Sequence, residues 1–326
     1  MIETIGVLGG GAWGTALALA AARAGRKVRL WARDHATVTA IDETHENPKH
    51  LPGIRLEHLP ATTSIAVALR ADAVILAVPA QAIRAVAANA APYLRAQTPL
   101  IVAAKGLERV TGKRMTEVVA EAAPEAIPAI LSGPSFAIDV ARGLPTAVTI
   151  AAAQEDMAMT LCHALSAATF RPYAETDVTG VEIGGAVKNV LAIAAGIVAG
   201  RGLGASALAA MVARGFAELR RLGESLGAKP ETLMGLSGLG DLVLTCSGPQ
   251  SRNFAYGRQI GAEGDIPAPV ELVEGIETAR VTRDLARRQH IPMPIVDAVV
   301  AVLSRKLTVD AAIEGLMTRP IKREAG

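Results

Sequence analysis

Short apolar runs alternate with Ala-rich helical stretches through the first half of the chain. Residues 4–8, 28–32, 73–78, 100–104, 129–132 and 147–151 each read as a strand. Most of these runs are continuously apolar rather than alternating, the pattern of strands covered on both faces. Helical periods lie between them, as at 12–24 and 116–122. Such alternation predicts right-handed βαβ units around an open, doubly wound parallel sheet. After about Thr179 the strand signals fade. Helical periods then dominate at 184–199, 206–226, 278–289, 296–303 and 309–317, punctuated by Lys229-Pro230 and Ile291-Pro292-Met293-Pro294. The pattern therefore predicts an α/β unit over 1–180 followed by an all-α C-terminal domain over 181–326.

Composition narrows the class. Hydrophobic residues make up 51% and aromatics only 3%, so Ala, Val, Leu and Ile carry the core and base-stacking platforms are not expected. The chain holds 33 basic and 31 acidic residues, a net +2 scattered along its length. That balance argues against a nucleic-acid groove or a membrane-adhesive face, and leaves small acidic ligands open. Cys162 and Cys246 form no CxxC or CxxH pattern. They are expected as reduced core thiols of a cytoplasmic protein, with no metal site. Glu3 precedes the first apolar run and no basic n-region stands there, so no signal peptide is expected. The apolar run 190–200 is about half the roughly 20 residues that a span needs, so no stable membrane insertion is expected.

The first strand runs directly into Gly9-Gly10-Gly11-Ala12-Trp13-Gly14, with Gly9, Gly11 and Gly14 in the G-x-G-x-x-G positions. The first glycine permits the tight turn, the second a close approach of backbone to a pyrophosphate, and the third helix-on-strand packing. The phosphates then meet the free N–H groups at the positive end of the helix. Strand, glycine loop, helix and next strand together predict a Rossmann-type dinucleotide-binding domain over 1–180 and a helical substrate/catalytic domain over 181–326. At the tip of the second strand the chain reads Ala32-Arg33-Asp34. A guanidinium there suits a 2′-phosphate, so NADP is the expected preference, with NAD next. Asp34, one step later, can still reach a ribose hydroxyl.

Four further segments carry chemistry. Lys105 in Ala103-Ala104-Lys105-Gly106-Leu107 lies just past the fourth strand, at the carboxyl edge where open α/β sheets bind ligands. Ser132-Gly133-Pro134-Ser135-Phe136-Ala137 follows the fifth strand at the same edge. Gly184-Gly185-Ala186-Val187-Lys188-Asn189 opens the most apolar helix, where a lysine and an amide are costly to bury without partners and paired glycines permit a close approach. Gly238-Leu239-Gly240-Asp241 reads as a Gly-rich turn whose carboxylate can orient Lys188. Ser251-Arg252-Asn253 opens a helix, with Ser251 as N-cap and Arg252 as a clamp for phosphate or pyrophosphate.

These blocks resemble the NAD(P)-dependent glycerol-3-phosphate dehydrogenases of the soluble bacterial type. The resemblance covers nearly the whole chain: GGGAWGTALA at 9–18, NPKHLPG at 47–53, ILAVPAQ at 75–81, AAKGLE at 103–108, LSGPSFA at 131–137, GGAVKNVLAIAAGI at 184–197, GLSGLGDLVLTC at 235–246, SRNFAYG at 251–257 and VEG at 273–275. It implies interconversion of dihydroxyacetone phosphate and sn-glycerol 3-phosphate, serving phospholipid synthesis. It also implies that Lys188 is the proton donor and acceptor, with Asp241 and Asn189 fixing its position. Substrate contacts then fall on Lys105, Gly133, Ser135, Lys188, Asp241, Ser251, Arg252 and Asn253. Cofactor contacts fall on Ala12, Trp13, Arg33, His50, Lys105, Ala137, Arg252, Leu272 and Glu274, beside the loop glycines. One segment departs from the family, whose GxN(T/S)(K/R)A run is here Gly204-Ala205-Ser206-Ala207-Leu208. Two other readings compete: a hydroxyacid or ketopantoate-type dehydrogenase, which would need a carboxylate site, and a nicotinamide sensor without turnover. A homodimer through the apolar surfaces of the helical domain is expected.

Overall fold

The computed structural model describes residues 2–321 and 323. Eight strands, β1 (Thr4–Leu8), β2 (Lys27–Trp31), β3 (Ala61–Thr62), β4 (Ala73–Leu76), β5 (Pro99–Val102), β6 (Ile127–Ser132), β7 (Thr146–Ala152) and β8 (Phe170–Glu175), form one sheet. Its order is β3-β2-β1-β4-β5-β6-β7-β8. All neighbours pair parallel except β6 and β7, which pair antiparallel with Ala129 opposite Ala152. The expectation of an all-parallel sheet is corrected at this one ladder. The reversal falls on the far side of the sheet from β1, so the carboxyl ends of β1, β4, β5 and β6 still open along one edge. Among the described residues no strand follows Glu175.

Helices α1 (Ala12–Arg23), α2 (His35–Thr44), α3 (Ile65–Ala68), α4 (Ile83–Ala90), α5 (Met115–Ala122), α6 (Ala137–Ala141) and α7 (Glu155–Leu165) connect the strands. The apolar runs in β1 and β4 serve both faces at once. Ile5, Val7, Ala73 and Ile75 join the core under α1 and α7, whereas Leu8, Val74 and Leu76 join the core under α4 and α5. This two-sided burial is why these strands lack polar alternation. Two strands escaped the sequence pattern. β3 has only two residues, and β8 carries Arg171, Pro172 and Glu175 along the exposed edge of the sheet. Such charges and prolines mark a protected edge and hide the strand from an apolar-run search.

The second half holds α8 (Val178–Gly200), α9 (Ala205–Ser225), α10 (Pro230–Met234), α11 (Asp241–Cys246), α12 (Arg252–Glu263), α13 (Glu274–Arg288), α14 (Pro294–Leu303) and α15 (Val309–Met317). Helix α8 is the axle of this half. At 23 residues it is long and apolar enough to cross a membrane, a correction to the reading of the run as half a span. Its interior is nevertheless buried, with Val187, Val190, Leu191 and Ile193 packed against Leu219, Leu222, Ile260, Val281 and Val296. A helix apolar all round is what the centre of a helical domain requires.

Glycines let α12 lie on α8 at backbone distance. A Cβ on Gly196 or Gly257 would stand 2.1 Å from the carbonyl oxygen of Phe254 or Ile193 respectively. Helix propensity alone makes Gly257→Ala stabilising by about 1 kcal/mol. Backbone crowding reverses the sign, so the variant is expected to lose about 1–3 kcal/mol in urea unfolding. A gain or no change would show that α8 and α12 do not approach in this way.

Candidate active site

The glycine loop lies where β1 meets α1. Gly9 has φ +137°, a conformation that other residues rarely adopt, and a Cβ there would stand 2.4 Å from Ala77 O. A Cβ on Gly14 would reach 1.9 Å from Gly9 O, so the third glycine lets α1 settle on the loop. Gly11, the N-cap of α1, differs from both, since no atom lies within 4 Å of its Cβ position. The space before the free N–H groups of α1 is open at the position that must admit a pyrophosphate. Trp13 Nε1 donates to Ala103 O at 3.2 Å, tying this helix to the segment that leads to Lys105.

The two residues at the tip of β2, Arg33 and Asp34, differ in their partners. Asp34 is the N-cap of α2, accepting from Ala36 N at 3.2 Å and Thr37 Oγ1 at 2.8 Å, with Lys49 at 3.6 Å. The Thr37 hydrogen bond leads in holding its carboxyl below the usual range. Its oxygens are thus committed to capping α2. Arg33 is exposed and has no hydrogen bond or ion pair among the described residues. His50 stands nearby, exposed on the 47–51 turn, with its imidazole pKa lowered by partial burial and then by Lys49.

The second centre is built around Asp241, which is 1% exposed. Residues 236–240 form a π-helical turn running straight into α11, rather than the open Gly-rich turn that the sequence suggested. π-Turns of this kind recur at functional sites because they re-aim a side chain. Asp241 Oδ1 accepts from Lys188 Nζ at 2.7 Å, and Oδ2 accepts from Lys105 Nζ at 2.6 Å. Lys105 also donates to Gly133 O at 3.0 Å, and Gly133 has φ +135°. The three charged residues come from different elements: the segment after β5, the middle of α8, and the start of α11. One carboxylate faces two ammonium groups, so the cluster is net positive and suits an anionic ligand.

Lys188 is 6% exposed. Its second partner is Thr245 Oγ1, which accepts at 2.6 Å and itself donates to Asp241 Oδ1 at 3.3 Å. An ammonium has three donors, so one remains for a substrate oxygen. Burial brings the Lys188 pKa down to about 8, with Lys105 adding to the fall and Asp241 opposing it. Thr245 was not singled out in the sequence. The signal was available in the four-residue spacing from Asp241, which puts both side chains on one face of α11. Cys246, next along, interacts electrostatically with both Lys188 and Asp241, but burial pushes its thiol up to about 12 and leaves it inert.

Asn189 does not fix Lys188, contrary to expectation. Its Oδ1 accepts from Asn253 Nδ2 at 3.1 Å and its Nδ2 lies 3.5 Å from Lys105 O, while Lys188 is held by Asp241 and Thr245. Successive residues of a helix point about 100° apart, so Lys188 and Asn189 leave α8 in different directions. Asn253 Oδ1 in turn accepts from Gly275 N at 2.9 Å, joining α8, α12 and the start of α13. The glycine pair 184–185 admits protein rather than ligand. A Cβ on Gly184 would meet Ser237 O at 2.8 Å, and one on Gly185 would meet Ser132 Oγ at 2.6 Å.

Ser251 is the N-cap of α12, accepting from Phe254 N at 3.2 Å. Arg252 follows as the first helical residue, exposed and without a hydrogen bond or ion pair among the described residues. Its charge is felt by Glu274, the first residue of α13, whose carboxyl burial pushes up and Arg252 pulls back. Ser135 Oγ donates to Gly133 O at 3.0 Å and Ala137 opens α6. Leu272 is half-exposed two residues before Glu274. The departing segment at 204–208 opens α9, and Leu208 packs against the helical core, which accounts for an apolar residue there.

Comparison with known proteins gives the family of the chain. Residues 4–158 match the family model described as NAD-dependent glycerol-3-phosphate dehydrogenase N-terminus, and residues 177–314 match its C-terminus. The chain is 60% identical over 323 residues to a protein of Bradyrhizobium sp. (strain ORS 278) named glycerol-3-phosphate dehydrogenase (NAD(P)+), covering 99% of this chain and 98% of that one. It is 58% identical over 325 residues to the protein of that name from Rhodopseudomonas palustris (strain HaA2), with the same coverage of 99% and 98%. The crystal structure of glycerol-3-phosphate dehydrogenase from Coxiella burnetii is similar with a TM-score of 0.92 and 38% identity, over 97% of this chain and 99% of that one. The chain therefore belongs to the NAD(P)-dependent glycerol-3-phosphate dehydrogenase family.

Proposed function

We propose that the protein interconverts dihydroxyacetone phosphate and sn-glycerol 3-phosphate at the Lys105–Asp241–Lys188 cluster. The observation that carries this reading is the buried Lys188, held on Asp241 at 2.7 Å and Thr245 at 2.6 Å with one donor to spare. In this reading residues 1–180 hold the dinucleotide and 181–326 supply the helical substrate domain. Enzymes of this family use NAD or NADP, and the bound dinucleotide supplies or accepts the hydride. The free Arg33, beside an Asp34 already spent on capping α2, favours NADP through its 2′-phosphate.

The chain's own residues do the rest. In the reducing direction Lys188 as ammonium hydrogen-bonds the substrate carbonyl oxygen, stabilises the developing alkoxide and donates its proton. In the oxidising direction the neutral amine takes the proton back, which a pKa of about 8 makes accessible near neutral pH. Asp241 and Thr245 hold the amine in place, and Lys105 keeps Asp241 from turning away. Arg252, free at the N-terminus of α12, binds the substrate phosphate, where helix dipole and guanidinium add. The expected setting is cytoplasmic supply of glycerol 3-phosphate to glycerophospholipid synthesis by a homodimer.

The direct test is oxidation of NADPH, then NADH, by the purified protein with dihydroxyacetone phosphate, with NADPH expected to be the faster. Lys188→Ala is expected to lose a factor of about 100–10,000 in turnover while still binding NADPH. Residual turnover near wild type would remove Lys188 from the proton-transfer role. Arg252→Ala is expected to raise the KM for dihydroxyacetone phosphate by about tenfold or more, since a charge-assisted phosphate contact is worth roughly 1.5–3 kcal/mol. Its melting temperature should stay near wild type because Arg252 is exposed. An unchanged KM would sink the phosphate assignment.

A further inference from the structure

Asn47 opens the NPKHLPG segment yet takes no part in the chemistry above. Its side chain is fully buried at 0% exposure. Both amide hydrogens are used: Nδ2 donates to Gly10 O at 2.9 Å and to Thr15 Oγ1 at 2.9 Å. Gly10 is the middle of the glycine loop, between the turn at Gly9 and the N-cap Gly11. Thr15 lies in the first turns of α1 and is fully buried. One amide thus grips the loop on one side and the helix on the other, across the junction whose N–H groups face the open space at Gly11.

The backbone of the same residue organises the other half of the nucleotide site. Asn47 O accepts from His50 N at 3.2 Å and Leu51 N at 2.8 Å, closing the turn that carries Lys49 and His50. Lys49 reaches Asp34 at 3.6 Å, next to Arg33. Gly10 itself lies against Ala32 just past β2, where an added Cβ would stand 2.5 Å from Ala32 Cβ. Asn47 Oδ1 is buried without a partner among the described residues. A buried acceptor left unpaired costs free energy, so the side chain is kept for its two donors.

We propose that Asn47 is the positioning residue of the dinucleotide site: it pins the glycine loop to the 47–51 turn, so one amide sets both the pyrophosphate end and the ribose end. The proposal rests on the dinucleotide occupying the glycine loop. Asn47 touches neither the cofactor nor the reacting atoms, and acts through the loop it holds.

The test is equilibrium titration of NADPH fluorescence with wild type, Asn47→Ala, Thr15→Val and the double variant. Asn47→Ala is expected to raise the Kd for NADPH by about tenfold or more, because the glycine loop it releases must then be ordered when the cofactor binds. In steady state its KM for NADPH should rise with it while the KM for dihydroxyacetone phosphate does not, a split that a generally loosened fold would not produce. Thr15→Val, which keeps the volume and removes one acceptor, should weaken NADPH binding less than Asn47→Ala does. In the Asn47→Ala background it should weaken binding no further. Wild-type Kd in Asn47→Ala, with a lowered melting temperature or not, would overturn the proposal. If Asn47→Ala does not fold, an unchanged Kd in Thr15→Val overturns it equally. Failure of the wild type to bind NADPH would overturn the dinucleotide reading itself, before any variant is made.

Discussion

A buried carboxylate at the centre of the site bridges the two halves of this protein. Asp241 takes one ammonium on each oxygen, Lys105 from the sheet edge and Lys188 from the central helix. Removing one partner of such a buried pair costs about 3–5 kcal/mol, because the charge left behind cannot return to water. Here three charges share the arrangement, and two of them are positive. The surplus positive charge, which the nearby Glu274 carboxyl also feels, favours an anionic ligand beside the lysines that join sheet to helices. Structure and chemistry thus draw on the same three side chains.

Small residues make that bridge possible. Gly184 admits the 236–240 turn to the face of α8, and Gly185 admits the end of β6. Gly238 would place a Cβ 1.8 Å from Leu233 O, so the turn that presents Asp241 tolerates nothing larger. Further along α8, Gly196 and its counterpart Gly257 on α12 bring the two helices to backbone distance, and α12 starts with its N-cap Ser251 and Arg252. Position along α8 therefore decides which part of the site is served. Its middle seats Lys188, and its last turns anchor the helix that opens with Arg252.

Much of this was legible in the sequence, and the exceptions have physical reasons. Apolar runs identified β1, β4 and β5 because those strands are covered on both faces, and they missed β8 because an edge strand carries Arg171 and Pro172. The glycine loop and the Lys188 and Asp241 segments stood out because glycine and buried charge are costly unless something requires them. What the sequence cannot rank is direction. Asn189 follows Lys188 in the chain yet turns to Asn253, whereas Thr245, which looks like an ordinary helical threonine, completes the cradle of the amine. Asn47 was invisible for the same reason: its partners Gly10 and Thr15 lie more than 30 residues away.

Burial lowers the Lys188 pKa and Asp241 resists that fall, a balance that a pH–rate profile tests most directly. With Lys188 in the proposed role of proton donor, reduction of dihydroxyacetone phosphate draws on its ammonium, so the rate should hold below a limb near pH 8 and fall above it. Oxidation of glycerol 3-phosphate needs the amine and should rise through the same limb. Because Asp241 holds the Lys188 pKa up against burial, Asp241→Asn should move the reductive limb to lower pH, alongside any loss of rate. A limb that stays in place, or moves to higher pH, would contradict the account.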